Sequence, residues 1–200
     1  MSITEMTAKR PRSNANDQTT FGSLCKRVLL PLLLVAGCAQ HPPGIEALGD
    51  FDAERYLGSW YEIARLDNRF EEGLDNVTAN YTKRDDGGIN VRNRGYDREE
   101  GSWQEVRGRA YFVDGPDKGA LKVSFFRPFY GGYNVIALDR ENYQWAMVCG
   151  PDRSYLWILS RTPKLDPAVL DSLRTQAENL GFPVEELNVI RHDQPPPAKS

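Results

Sequence analysis

Few residues in this 200-residue chain combine the right type with the right neighbours for chemistry. A nucleophilic site needs a thiol or hydroxyl with a positioned base, and the chain offers three cysteines and two histidines. Cys149 ends an apolar run, Trp145-Ala146-Met147-Val148, with neither histidine on a neighbouring strand, so it reads as a small buried hydrophobe. His41 and His192 stand near opposite ends of the body, too isolated for a metal or haem site. The acid pairs Glu71-Glu72, Asp85-Asp86 and Glu99-Glu100 each precede a glycine and read as solvated loops. What remains is the thiol of Cys38, behind the small residues Ala36 and Gly37, and an indole and a cation, Trp60 and Arg161, able to make a cation–π contact worth roughly 0.5 to 2 kcal/mol. The sequence therefore assigns no catalytic residue, no metal ligand and no cofactor.

The surroundings of Cys38 specify what its thiol is for. Residues 1–20 are polar and aperiodic; Lys26-Arg27 then precedes Val28-Leu29-Leu30-Pro31-Leu32-Leu33-Leu34-Val35 and Ala36-Gly37-Cys38. A basic segment, a short apolar segment and small residues before a cut make a signal peptide, shorter than the roughly twenty residues that span a bilayer. Leu34-Val35-Ala36-Gly37-Cys38 resembles the bacterial lipobox, which implies that Cys38 receives a diacylglycerol, becomes the new amino terminus and is acylated again. Two or more acyl chains anchor stably where one is marginal. Ala39, not Asp, follows the cysteine, and resemblance to the sorting rules of enteric-type bacteria implies the outer membrane, with the body on the periplasmic face. The long stretch before Lys26 leaves room for a downstream start codon. Cys25 departs with the leader, so only Cys149 keeps a free thiol and no internal disulfide forms.

The expected organisation is residues 1–37 as leader, 38–49 as anchor and linker, 50–192 as one domain and 193–200 as a flexible tail. Of 25 basic and 28 acidic residues, five and two precede Cys38, leaving 20 against 26 in the body. That balance argues against nucleic-acid binding and against plain adsorption to anionic lipid. Alternating runs dominate: Val77, Ala79 and Tyr81; Ile89, Val91 and Asn93; Val106, Gly108, Ala110 and Phe112; Leu121, Val123 and Phe125, each set opposed by polar neighbours. Such alternation marks an antiparallel sheet with one wet face. Tyr133–Leu138, Tyr143–Cys149 and Tyr155–Leu159 are apolar on both faces and need an outer cover. Val169, Leu170, Leu173, Ala177 and Leu180 lie at helical spacing between Pro167 and Gly181 and supply one. Asp52 suits the cap of a single helical turn, and Leu187–Ile190 a short last strand. The reading is all-β with one C-terminal helix: an eight-stranded antiparallel up-and-down barrel, large enough inside for one small ligand.

Gly58-Ser59-Trp60, Asp139 followed by Tyr143, and Arg161 after a strand resemble, in order, the three landmarks of the lipocalins. Trp60-Tyr61-Glu62-Ile63-Ala64-Arg65, Gly132 to Asp139 and Trp157 to Pro163 extend the likeness toward the bacterial outer-membrane branch and its apolipoprotein D-like relatives, over Phe51 to His192. Leu138 departs from the pattern, since many lipocalins carry Thr there. The resemblance implies a barrel closed by Gly58, Trp60, Asp139, Tyr143 and Arg161, a calyx that takes a fatty acid or lysophospholipid, and a possible homodimer. Ala79, Tyr81, Val91, Asn93, Val123, Phe125, Tyr133, Trp157 and Leu159 are the expected ligand-binding residues, Asn93 being the first choice to orient a head group. Palmitate or another acyl chain would sit on Cys38. Two other readings stay open: a lipid-modifying enzyme on the same scaffold, and a structural envelope lipoprotein with a filled barrel. Phe126–Tyr133 is either a rim of the pocket or a docking surface.

Overall fold

The computed structural model describes residues 41–194; the leader, the anchor Cys38 and the end of the tail lie outside the described residues. Nine strands follow one another: β1 (Gly58–Leu66), β2 (Leu74–Lys83), β3 (Ile89–Asp97), β4 (Ser102–Phe112), β5 (Ala120–Ser124), β6 (Gly131–Leu138), β7 (Trp145–Cys149), β8 (Leu156–Ser160) and β9 (Leu187–Val189). Each of the first eight pairs antiparallel with its neighbour, and β1 closes on both β8 and β2, so no edge of the barrel is left open. The first half of β1 (Gly58 to Tyr61) pairs with β2, and its last residues, Ala64 to Leu66, pair with β9. Up-and-down connection puts loops 67–73, 98–101, 125–130 and 150–155 at one end of the barrel. The other end holds α1 (Ala53–Tyr56) and the turns 84–88, 113–119 and 139–144.

The apolar alternation divides the interior into two compartments. Tyr81, Val91, Ala110, Leu121, Val148 and Leu159 face inward as one cluster. Ile63, Ala64, Met147, Cys149, Leu156 and Ile158 face outward beneath α2 (Pro167–Asn179), which presents Leu173 and Ala177 to them. This explains why the late strands are apolar on both faces. Asp166 caps α2 by accepting from the Ala168 amide at 2.8 Å, Pro167 occupies the first turn, and Gly181, at φ +80°, ends it.

Three expectations need correction. The linker is docked from Pro42 onward: Ile45 is 2% exposed, the Leu48 amide donates to the Val135 carbonyl at 2.9 Å, and the Leu48 carbonyl accepts from Gly119 at 2.8 Å. Two buried side chains, Pro42 and Ile45, and two hydrogen bonds outweigh the flexibility that Pro42-Pro43-Gly44 suggests. Asp193 and Gln194, expected in the flexible tail, are held to the body: Asp193 accepts from Arg98 at 2.6 Å and the Gln194 amide donates to Asn76 at 2.9 Å. Tyr143 is not the first residue of a strand; it sits in the turn before β7 with φ +56°.

Candidate functional site

The closed end is built around Trp60, fully buried on β1. Its indole nitrogen donates to the Tyr56 carbonyl at 2.9 Å, and the Arg161 guanidinium lies 3.7 Å over the ring. Arg161 donates in addition to the carbonyls of Tyr143 (3.2 Å), Ser59 (2.9 Å) and Arg55 (2.7 Å), tying the end of β8 to α1, β1 and the turn before β7. Gly58 has φ +95°, a backbone shape that selects glycine. Asp139 holds its turn by accepting from the amides of Glu141, Asn142 and Gln144, each at 3.2 Å. The Tyr143 hydroxyl accepts from the Asp52 amide at 2.9 Å, which fixes the start of α1 across the barrel floor. All five expected closure residues thus meet at one end.

Above this floor the barrel is hollow. A cavity of about 750 Å³ runs up to the mouth, and every expected ligand residue lines it: Ala79, Tyr81, Val91, Asn93, Val123, Phe125, Tyr133, Trp157 and Leu159. Gly108 lets the Phe125 ring lie close against β4, since a Cβ there would come within 2.7 Å of it. Polar groups occur at three levels. At the bottom the hydroxyl of Tyr133 bonds those of Tyr56 (2.7 Å) and Tyr81 (3.0 Å). Burial raises all three phenols above their ordinary value of 10, so they stay neutral. In the wall, the Asn93 carbonyl oxygen is buried without a hydrogen-bond partner among the described residues.

The third level, near the mouth, is not evident in the sequence. A register shift in β1 between Glu62 and Ala64 brings Arg65, 1% exposed, to the side of Glu62 at 2.8 Å. Arg65 also donates to Asp67 (2.9 Å) and to the carbonyls of Glu71 (2.6 Å) and Leu74 (3.1 Å), pinning loop 67–73 over one side of the opening. Glu71, read from sequence as a solvated loop acid, instead accepts from the Trp157 indole at 2.9 Å and from Asn68 at 2.7 Å. Simple alternation from Trp60 points to Glu62; nothing short of the tertiary fold points to Glu71.

Burial holds the Glu62 carboxyl well above the ordinary 4.5, with Glu71 reinforcing the shift and Arg65 opposing it. The folded chain therefore keeps this proton more tightly than the unfolded chain. Stability from this group is complete below about pH 4.5 and declines as pH rises through the folded value. Glu62→Gln is expected to flatten that decline, so that thermal melts from about pH 4 to about pH 8 show the variant gaining on the parent as pH rises. Parallel profiles would place the titration elsewhere.

Neither Cys149 nor His192 is placed for nucleophilic chemistry. Cys149 is fully buried beneath α2 and burial pushes its thiol up to about 12. His192 is fastened to the outer wall, its Nε2 2.8 Å from the Glu62 carbonyl and its ring edge-on to Tyr61. Loop 125–130 exposes Phe126 (70%) and Phe129 (77%), and both also border the cavity mouth.

The family model for the lipocalin-like domain matches residues 51–192. The chain is 56% identical over 167 residues to Outer membrane lipoprotein Blc of Escherichia coli (strain K12), covering 79% of this chain and 94% of the relative. It is 51% identical over 164 residues to the Vibrio cholerae protein of the same name, covering 82% and 96%. Apolipoprotein D of Bos taurus is 32% identical over 160 residues, covering 76% and 82%. Among solved structures, insecticyanin from the tobacco hornworm Manduca sexta superposes with a TM-score of 0.61 at 21% identity, covering 78% of this chain and 88% of that one. The closed barrel, its Trp60–Arg161 floor and these matches together establish that the chain belongs to the lipocalin family.

Proposed function

We propose that this protein binds long-chain fatty acids or lysophospholipids in its calyx and stores or carries them within the cell envelope. It is a lipid-anchored protein of the outer membrane, the location carried by the names of its relatives at 51 to 57% identity. The observation that supports the ligand class is the cavity of about 750 Å³, apolar along its length and polar only at its floor, at one wall position and at its mouth. At about 0.8 kcal/mol per buried methylene, a long acyl chain contributes roughly 10 kcal/mol before ordering costs are subtracted. Native mass spectrometry of the chain purified from its own membranes is expected to find one acyl lipid per barrel. Empty barrels in repeated gentle preparations would overturn the carrier reading in favour of a structural lipoprotein.

Cys38 is the proposed anchor. Cys38→Ser is expected to move the protein from the membrane to the soluble fraction on cell fractionation, because without acyl chains no stable anchor remains. Continued sedimentation with membranes at the parental level would contradict the assignment.

A further inference from the structure

We propose that the outer wall formed by β2 to β5 carries a second binding site, separate from the calyx, that takes phosphate groups. A groove of about 630 Å³ on this wall is lined by five guanidinium groups, those of Arg84, Arg92, Arg107, Arg109 and Arg127, and by no carboxylate. The whole chain carries a net charge of −3, so this concentration of positive charge is a local segregation.

The strand register creates it. Arg92 lies directly opposite Arg107 across the β3–β4 pair, and Arg109 follows Arg107 on the same face, opposite Asn90 and Ser124 on the neighbouring strands. Directly opposed side chains start about 5 Å apart and alternate residues along a strand about 7 Å apart, so these three arginines stand as neighbours on one face of the wall. Like charges opposed across strands destabilise a sheet unless a counter-charge joins them. The bordering carboxylates are already committed: Asp86 holds Arg84, and Glu105 is shared between Arg94 and Arg107. Arg92, Arg109 and Arg127 make no ion pair or hydrogen bond with any described residue. Beside them the Ser124 hydroxyl, on a residue 5% exposed, lines the same groove with its oxygen buried and unpartnered. Unpaired planar donors around an unpartnered hydroxyl match a phosphate group, whose oxygens accept from several guanidinia at once. The phosphate belongs to a free anion or to a lipid head group, and the two are separable.

The test uses the full chain carrying Cys38→Ser, with and without Arg92→Gln and Arg109→Gln. Thermal melts in sodium phosphate are compared with sodium chloride at equal ionic strength, which cancels screening. At a phosphate concentration ten times its dissociation constant the parent is expected to melt about 4 °C higher than in chloride. The double variant is expected to lose that difference and, at low salt in chloride, to melt above the parent. Arg69→Gln, on an exposed loop outside the groove, keeps the parental response. Phosphate acting no better than chloride on the parent, or equally on the parent and double variant, overturns the site. Sedimentation with phosphatidylcholine vesicles containing phosphatidylglycerol then identifies the source. Weaker sedimentation of the double variant than of the parent assigns the phosphate to a head group, and equal sedimentation alongside the phosphate response assigns it to a free anion. Both leave the calyx reading untouched, since none of the substituted residues lines the calyx.

Discussion

Trp60→Ala is expected to lower the unfolding free energy by about 4 kcal/mol, within the range for deleting a large buried aromatic, and the melting midpoint by roughly 10 °C. The loss exceeds that of burial alone, because the indole also donates to the Tyr56 carbonyl and supports the Arg161 guanidinium at 3.7 Å. Once the ring is gone, Arg161 still reaches three carbonyls, so Arg161→Ala on top of Trp60→Ala should cost less than Arg161→Ala in the parent. The coupling is expected at about 1 to 2 kcal/mol, the size of a partly buried cation–π contact. Chemical denaturation of the two single variants and the double variant measures it. Strictly additive losses would mean that the indole and the guanidinium merely share an address.

Trp157→Glu addresses the calyx and carries the second large effect. The indole forms part of the cavity wall near the mouth and donates to Glu71. A carboxylate in its place removes apolar contact, places like charge beside Glu71 and releases the hold on loop 67–73. Binding of a fluorescent fatty acid is expected to weaken about 30-fold, equivalent to about 2 kcal/mol. The barrel is expected to stay folded, because the Trp60–Arg161 floor is untouched, with the melting midpoint lowered by a few degrees for the lost Glu71 hydrogen bond and the packing of the indole against the inner core. Trp157→Phe keeps a ring against the ligand and loses only the hydrogen bond, so its affinity should stay within about threefold of the parent. An unaltered dissociation constant for Trp157→Glu would show that the ligand does not use this part of the cavity.

Much of this architecture was legible from the sequence because half-buried strands write their faces into alternate residues. Val77, Ala79 and Tyr81 on β2, or Leu121, Val123 and Phe125 from β5 onward, needed no tertiary information to be assigned inward. Trp60 and Arg161 were legible as a pair because the barrel topology must bring the end of β8 beside the start of β1. Features that break periodicity were not. The shift between Glu62 and Ala64 turns Arg65 toward the mouth, a direction that strict alternation denies it. Tyr143 looked like a strand residue because nothing in its neighbours announces the positive φ of its turn. Glu71 owes its place to a loop folding back onto Trp157, and Ile45 to an outer cluster that gathers Ile63 from β1, Met147 from β7 and Leu173 from α2. The basic groove escaped notice because net charge averages over the surface, whereas register sets which charges become neighbours.

The docked segment before α1 has a consequence for how cargo would enter. The Pro43 carbonyl accepts from Arg153 at 2.9 Å, and Arg153 belongs to the loop that follows β7 at the open end. Cys38 precedes Pro43 by five residues, which reach at most about 18 Å when fully drawn out. If Cys38 carries the acyl chains proposed above, the tether reaches the body at its open end, which would turn the mouth of the barrel toward the leaflet that holds it. On that reading, a lipid leaving the leaflet would meet the calyx before it met open water.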